Sequence, residues 1–376
     1  MMTKHLFPAL LLLAAVASCK EVQVPPRPTL PLVHSIVADT AGMGRLAAQA
    51  GRVDGSIAII GEPESAIVLA RRFQSCDLVD NVDGSAVRDS LLDFAGETFD
   101  VIMDALNAPY VRFWTSAEAM ADSVRHEELD SLREVAVLNA VCAWDSLCWR
   151  SVADAKPLLH KQRAKMLIFT SPLQAKWGLF DVDTLQQMTG GKCRTLSSVH
   201  TLLDDAYAAG ARSLAVWTSR DVRNSGVWQA VFADGEYEGA SLTVIAPDAA
   251  LDVRTELRNV LRQYRNTGRV LDALLIDSFT VDTAPLRSEL ALIRNGGTAE
   301  DAAFKAMLSP AFVMVDPATS LIGTTYRILR DNHLFTHQIA RPAVQYYETV
   351  ESGGGTTLLV ETTAEYAHST YVPNLH

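Results

Sequence analysis

Short, continuous apolar runs alternate along the chain with longer segments in which apolar residues recur every three or four positions. The first pattern is typical of a buried strand and the second of an amphipathic helix. The predicted buried strands are residues 56–60, 99–103, 165–169, 213–217, 241–245, 271–276 and 312–315. The predicted helices are residues 64–73, 85–94, 116–125, 202–209, 222–232, 253–264, 284–293 and 320–329.

Three further segments give weaker signals. Residues 77–79 fit a short strand, and residues 358–360 fit an edge strand that follows a run of three glycines. Residues 134–143 fit a strand or a buried helix equally well, because their apolar positions match both periods.

Strands that are apolar throughout, with amphipathic helices between them, are typical of parallel sheets covered by helices on both faces. Residues 32–376 also exceed the size at which one hydrophobic core usually stops growing. We therefore predict an α/β fold of two doubly wound parallel-sheet lobes with an interlobe cleft. The predicted N-terminal lobe is 32–200 and the C-terminal lobe 201–310, and residues 311–376 form a crossover and a C-terminal segment that returns to the N-terminal lobe.

The first residues have the pattern of a bacterial export signal. An apolar stretch of about a dozen residues follows Lys4, which is too short to span a bilayer and typical of a removable signal peptide. It ends in Val16-Ala17-Ser18-Cys19, which resembles the lipobox of bacterial lipoproteins. The resemblance implies a signal peptide at 1–18 and lipidation of Cys19. An ordinary secreted protein with a chance cysteine is the alternative.

Residues 19–31 contain four prolines and fit an extended, semi-rigid tether between the lipid and the folded body. The predicted location is the cell envelope, with the chain lipid-anchored to a membrane at the periplasmic face or the cell surface. The net charge of −11 argues against a nucleic-acid partner, because binding to phosphates requires a basic surface.

Four cysteines remain besides Cys19, and their state is left open by the sequence. Cys142 and Cys148 are spaced to close a small loop, while Cys76 and Cys193 have no obvious partner. Free buried thiols are an equal alternative to disulfides. A metal site is not predicted, because no paired-cysteine spacing or neighbouring histidine accompanies them.

The segment 202–216 reads as a helix, a glycine turn and a strand, and resembles the opening of the second lobe in type I periplasmic binding proteins. Residues 272–277 resemble a later strand of that lobe, and 99–104 its counterpart in the first. The resemblance implies two lobes that close on a small polar solute, without a cofactor. It also implies that the chain serves a transporter or a sensor.

Ligands of open α/β sheets bind outside the carboxyl ends of the strands, which selects the residues that follow each strand. Arg220 is suited to a two-pronged contact with a carboxylate or phosphate, and two aromatic residues to stacking on a flat ligand. The candidate ligand-binding residues are Glu62, Ser65, Asp104, Asn107, Thr170, Ser171, Trp177, Phe180, Ser219, Arg220, Asp277 and Ser278. Helix caps, turns and packing between lobes are the structural alternatives for the same residues.

Motifs that would identify an enzyme are absent from the sequence. It has no G-x-G-x-x-G turn, no H-E-x-x-H helix and no G-x-S-x-G nucleophile elbow. No catalytic residue is therefore predicted. A cell-envelope α/β hydrolase or other enzyme is the first alternative to the solute-binding protein, and a non-catalytic structural or interaction module is the second.

Overall fold

The computed structural model describes residues 28–51, 54–81, 85, 87–104, 122–247, 252–336, 338, 340–352 and 355–365, with side chains from 129 onward in the helix that starts at 122. The helices are α1 (Pro31–Ala38), α2 (Met43–Ala48), α3 (Pro63–Gln74), α4 (Asp122–Trp144), α5 (Pro172–Trp177), α6 (Leu179–Thr189), α7 (Ser198–Ala208), α8 (Arg220–Ser225), α9 (Val227–Asp234), α10 (Val253–Arg265), α11 (Thr283–Asn295), α12 (Ala299–Met307) and α13 (Pro317–Asp331). The strands are β1 (Ser56–Gly61), β2 (Thr98–Met103), β3 (Leu147–Cys148), β4 (Leu159–His160), β5 (Ala164–Phe169), β6 (Arg194–Ser197), β7 (Ser213–Trp217), β8 (Ser241–Ile245), β9 (Leu271–Ile276), β10 (Leu308–Val315), β11 (Ala343–Glu351) and β12 (Thr357–Thr362).

The first lobe is built on a six-stranded sheet with the order β12-β11-β2-β1-β5-β6. Neighbours pair in parallel except β12, which runs antiparallel to β11. The central strand β1 is buried at every position, as expected for a strand with helices on both faces. A short β3–β4 hairpin lies outside this sheet.

Alternate side chains of the first sheet enter two different cores. Ala58 and Ile60 pack with α1, α4 and α6 on one face, and Ile57 and Ile59 pack with α3 and α13 on the other. This division follows from the two-residue period of a strand, which directs successive side chains to opposite faces. Helices therefore cover both faces of the sheet.

The second lobe is built on a four-stranded parallel sheet with the order β10-β9-β7-β8. Its faces are also divided, since Ala215 and Leu274 pack with α10, α11 and α12 while Val216 and Leu275 pack with α7 and α9. The chain enters this sheet at β7 and leaves it after β10. It then passes through α13 and pairs β11 with β2 of the first sheet.

Contacts between the lobes lie beside the carboxyl ends of the strands. Leu173 of α5, which follows β5, shares a core with Trp228 of α9 in the second lobe. Phe279, in the loop after β9, is buried in the first lobe against residues of α3 and α13. The strand ends of the two sheets are thus brought together by apolar packing.

Among the described residues of the first lobe, two buried ion pairs join a lysine to a carboxylate. Lys165 Nζ is 2.6 Å from Glu97 Oε2, and Lys161 Nζ is 3.4 Å from Asp100 Oδ2, with all four side chains fully buried. Lys165 also donates to the carbonyl of Leu334 at 2.7 Å. These charges hold loops against the sheet, because each ion needs several partners to offset its loss of water.

The prediction of an α/β fold with parallel sheets is confirmed. All seven predicted buried strands are present, and residues 134–143 are helical within α4. Residues 77–79 form no strand, and the described residues of 85–94 form no helix, so both predictions are wrong. Residues 222–232 lie in two helices rather than one, because Gly226 takes a left-handed conformation between α8 and α9.

Replacing Lys165 by Met should lower the free energy of unfolding by roughly 3–5 kcal/mol, because Glu97 is left as an uncompensated buried charge. Combining it with Glu97→Gln should restore part of that loss. Arg330→Met removes one partner of the exposed pair with Asp331 and should cost less than about 1 kcal/mol. Urea unfolding measures all three, and equal losses for Lys165→Met and Arg330→Met would contradict the assignment.

Gly61 is required where β1 meets the start of the loop after β5. A Cβ atom at this position would lie 1.8 Å from Thr170 Oγ1. Gly61→Ala should therefore destabilise the protein by about 1–3 kcal/mol through overpacking. Gly323→Ala in α13 meets nothing within 4 Å and should stabilise it by about 0.5–1 kcal/mol. Thermal unfolding of the two variants should give shifts of opposite sign.

Candidate functional site

Polar side chains from both sheets meet where the parallel strands end. We call Glu62, Asp104, Thr170, Ser171, Thr218 and Asp277 the strand-end cluster. Each is the first residue after β1, β2, β5, β7 or β9, except Ser171, which is the second residue after β5. Backbone hydrogen bonds hold the ends of neighbouring strands in register. The Asp104 N–H donates to the carbonyl oxygen of Gly61 at 2.9 Å, and the Asp277 N–H donates to the carbonyl oxygen of Trp217 at 2.8 Å.

Asp277 is the acidic group of the second lobe in this cluster. Its Oδ2 accepts hydrogen bonds from Thr218 Oγ1 and from Trp228 Nε1, each at 2.7 Å. Burial raises the pKa of Asp277 to about 6, although these two donors favour the charged form and act in the opposite direction. The carboxyl group therefore changes its charge close to neutral pH.

Glu62 is the corresponding group of the first lobe, at the residue before α3 begins. Burial raises its pKa, and hydrogen bonds from its own backbone and from the Ser171 hydroxyl lower it. The negative charge of Asp277 raises the pKa of Glu62 further. The charge of Asp277 in the second lobe thus acts on the protonation of Glu62 in the first.

Asp104 is the most deeply buried carboxylate of the strand-end cluster, with 1% of its surface exposed. It accepts a hydrogen bond from Gln174 Nε2, in the first turn of α5. Within the described part of the chain, Gln174 Oε1 has no hydrogen-bond partner although it is buried. A buried acceptor of this kind is uncommon in folded proteins and marks the surroundings of Asp104 as unusual.

The structure places the other predicted ligand-binding residues in more ordinary positions. Ser219 caps α8 by accepting a hydrogen bond from Val222 N–H, and the Ser278 hydroxyl lies 3.1 Å from Thr280 Oγ1. Trp177 packs against the core that joins the lobes, while Phe180 is 47% exposed. Ser65 is partly exposed in the first turn of α3, and Arg220 is exposed at the start of α8. Asn107 and Cys19 lie outside the described residues.

Three residues of the site were missed by the sequence analysis. Thr218 directly follows β7, so the strand-end rule could have selected it in place of Ser219 and Arg220. Gln174 and Trp228 lie inside helices and reach the carboxylates only through the fold. No pattern in the sequence indicates those two contacts.

The cysteines give no nucleophile to this site. Cys76, Cys142, Cys148 and Cys193 are free thiols rather than disulfides. Burial raises the pKa of Cys148 to about 11 and of Cys142 and Cys193 to about 12, and it also raises the pKa of Cys76. All four are therefore protonated at neutral pH.

A serine–histidine contact occurs at the end of β6, where Ser197 Oγ lies 2.6 Å from His200 Nδ1. Ser197 is 1% exposed, and its oxygen also accepts the His200 N–H as the cap of α7. The contact is therefore explained by local helix capping. It does not provide the accessible nucleophile that a serine hydrolase needs.

Within the described ranges, no group of three or more potential ligands is arranged to hold a metal ion. Among the helices described, none combines the length and apolar character needed to cross a bilayer.

No protein-family model and no curated protein matches the chain. Its fold is similar to that of glutamate racemase from Francisella tularensis in complex with D-glutamate, with a TM-score of 0.50 and 10% identity over 81% of this chain and 91% of that one. Glutamate racemases from Bacillus anthracis and Aquifex pyrophilus give TM-scores of 0.43 and 0.40 at 12% and 13% identity, over 83% and 80% of this chain and 98% and 91% of theirs. The first similarity shows a shared fold.

These comparisons correct the functional prediction. The resemblance to type I periplasmic binding proteins is wrong, because the matching structures have the fold of glutamate racemase. The predicted solute-binding function and the predicted transporter or sensor partner depended on that resemblance and are also wrong. The rhythm of strands and helices on which the resemblance rested is shared by many two-lobed α/β proteins. The lipid anchor finds no support in the comparisons, and its residues lie outside the described part.

The titration of Asp277 should depend on the indole of Trp228. Trp228→Phe removes a donor to the charged form, so the pKa of Asp277 should rise above about 6. Carboxyl carbon chemical shifts from a pH titration measure this directly. Trp144→Phe, a buried tryptophan of the first lobe, should leave it unchanged, and a lower value in Trp228→Phe would contradict the geometry.

The raised pKa of Asp277 also determines how the stability of the folded protein depends on pH. The folded pKa of Asp277 lies above its ordinary value of 3.8, so the folded state holds the proton more tightly. The stability of the protein relative to Asp277→Asn should therefore be greatest below pH 3.8 and should fall as the pH rises to about 6.

Proposed function

We propose that this protein is an enzyme that transfers protons to and from a small polar substrate, with Asp277 and Glu62 as its acid–base pair. One observation carries the proposal: a carboxylate of each lobe lies at the strand ends, the charge of Asp277 acts on Glu62, and both groups have raised pKa values. An acid–base group works best when its pKa lies near the working pH, and Asp277 meets that condition. Perturbed carboxyl groups of this kind are concentrated at functional sites.

The reaction class that fits best is proton exchange at a carbon atom next to a carbonyl or carboxylate. One carboxylate takes the proton from the carbon, and the other group, in its protonated form, returns a proton from the opposite lobe. Return to the other side of the carbon inverts its configuration, and the overall composition of the substrate is unchanged. A racemase performs such an inversion, and the shared fold with glutamate racemase supports this class.

The active site in this proposal lies at the strand ends where the two lobes pack together, in keeping with the position of ligands in open α/β sheets. Gln174 fixes Asp104 beside the pair, while Thr218 and Trp228 fix Asp277. Positioning of this kind lets a carboxyl group meet its substrate without reorganising. The cell-envelope location stays a prediction from residues 1–31.

Solvent deuterium exchange tests the reaction class without knowledge of the stereochemical outcome. The protein is incubated in D₂O with a panel of single amino acids and 2-hydroxy acids, and the hydrogen on the carbon next to the carboxylate is followed by proton NMR. We expect enzyme-dependent loss of that signal for at least one member. Asp277→Asn and Glu62→Gln should each slow the exchange by at least about 100-fold, the usual contribution of general acid–base catalysis.

Glu64→Gln is the matched control, since Glu64 is an exposed carboxylate in the same first turn of α3. It should retain most of the exchange activity. Exchange that survives in both Asp277→Asn and Glu62→Gln, with all variants folded, would reject the assigned pair. Absence of exchange across the whole panel with folded wild-type protein would count against the reaction class.

A further inference from the structure

A cavity with a volume of about 490 Å³ lies in the first lobe, and none of its lining residues belongs to the strand-end cluster. One wall is α4, a second is formed by Leu32 of α1 with Met43 and Leu46 of α2, and a third by β3 and the start of β12. Ligand pockets in proteins commonly measure roughly 300–1,000 Å³, so the cavity is large enough for a small organic molecule.

The wall on α4 is a single helical stripe. Glu134, Leu138, Val141 and Cys142 of α4 line the cavity at spacings of three or four residues along one face, and Asp145, directly after the last residue of α4, continues that wall. Leu138 and Cys142 are only partly buried there. The stripe is apolar at its centre and carries a carboxylate at each end.

Among the residues that the structure describes, no side chain fills the space between the apolar walls. Leu32, Met43 and Leu46 are also partly exposed at this cavity. Protein interiors seldom leave such a volume unfilled, and water is held poorly by an apolar lining. An apolar body is the occupant that these walls favour.

The charges of the lining are all of one sign. Glu134 and Asp145 are its charged side chains, and Asp145 uses one oxygen to accept a hydrogen bond from Leu147 N–H. Burial raises the pKa of Glu134, repulsion from Asp130 raises it further, and attraction from Arg133 lowers it. The described lining itself contains no lysine, arginine or histidine. Trp149 is another lining residue, and it is an aromatic of the type that attracts cations most strongly.

The geometry points to this cavity as a binding site for a small amphipathic amine, with the apolar body against Leu138 and Leu46 and the ammonium group beside Glu134. The site shares no residue with the strand-end cluster, and the inference does not depend on the proposed reaction.

Calorimetric titration with octylamine below its micelle concentration tests the inference, with octanol and octanoate as ligands of the same length. Octylamine should bind the wild type at least about tenfold more tightly than octanoate. Leu138→Trp fills the cavity and should abolish binding of octylamine. Leu46→Trp fills it from α2 and gives a second measurement if Leu138→Trp fails to fold, which circular dichroism reveals.

Glu134→Gln separates the charge from the apolar walls. This substitution should weaken the binding of octylamine about tenfold and leave the binding of octanol unchanged. Asp277→Asn should leave octylamine binding unchanged, which distinguishes this cavity from the strand-end cluster. Binding of octanoate equal to that of octylamine would overturn the inference, and so would octylamine binding that persists in a folded cavity-filling variant.

Discussion

The parallel pairing of β11 with β2 is the contact on which the two-lobed arrangement depends. The chain builds the second sheet as an excursion between β6 and β11, and this pairing brings it back into the first. The segment that leads back into β11 is held by charged side chains as well as by the hydrogen bonds between β11 and β2. Glu97 accepts the Thr336 N–H at 2.7 Å while its carboxylate pairs with Lys165, and Gly96 N–H donates to Ala340 at 2.7 Å. Position 96 requires glycine for two reasons. Its backbone is left-handed, and a Cβ atom there would lie 2.3 Å from the carbonyl oxygen of Gln338.

Much of the fold was predictable because buried parallel strands are apolar along most of their length. The pattern of residues 271–276 and 165–169 predicts a buried strand with no competing interpretation. The segment 85–94 has apolar positions at helical spacing, yet it is not helical in its described residues. Its carboxylates bind backbone groups of the loop, as Asp93 does with the Leu78 N–H, and tertiary contacts override the local pattern. β6 was missed because its four residues are only partly apolar.

The site was predictable to the extent that topology alone locates it. The rule that ligands bind beyond the strand ends selected Glu62, Asp104 and Asp277 without any knowledge of their partners. Their chemistry was not predictable, because it arises from contacts between residues far apart in the sequence. Trp228 and Asp277 are 49 positions apart, and the influence of Asp277 on Glu62 crosses from one sheet to the other. The family resemblance failed for the same reason, since a shared rhythm of strands and helices carries no information about side chains.

The influence of Asp277 on Glu62 gives the protein a link between shape and proton content. The repulsion between the two carboxylates grows as their separation falls. A movement that brings the sheets closer must therefore raise the affinity of the pair for a proton, and one that separates them must lower it. At constant pH, closing the space between the lobes would therefore draw a proton from the solvent, and opening it would release one. The strand ends would in this way couple the distance between the two sheets to the pH of the surrounding water.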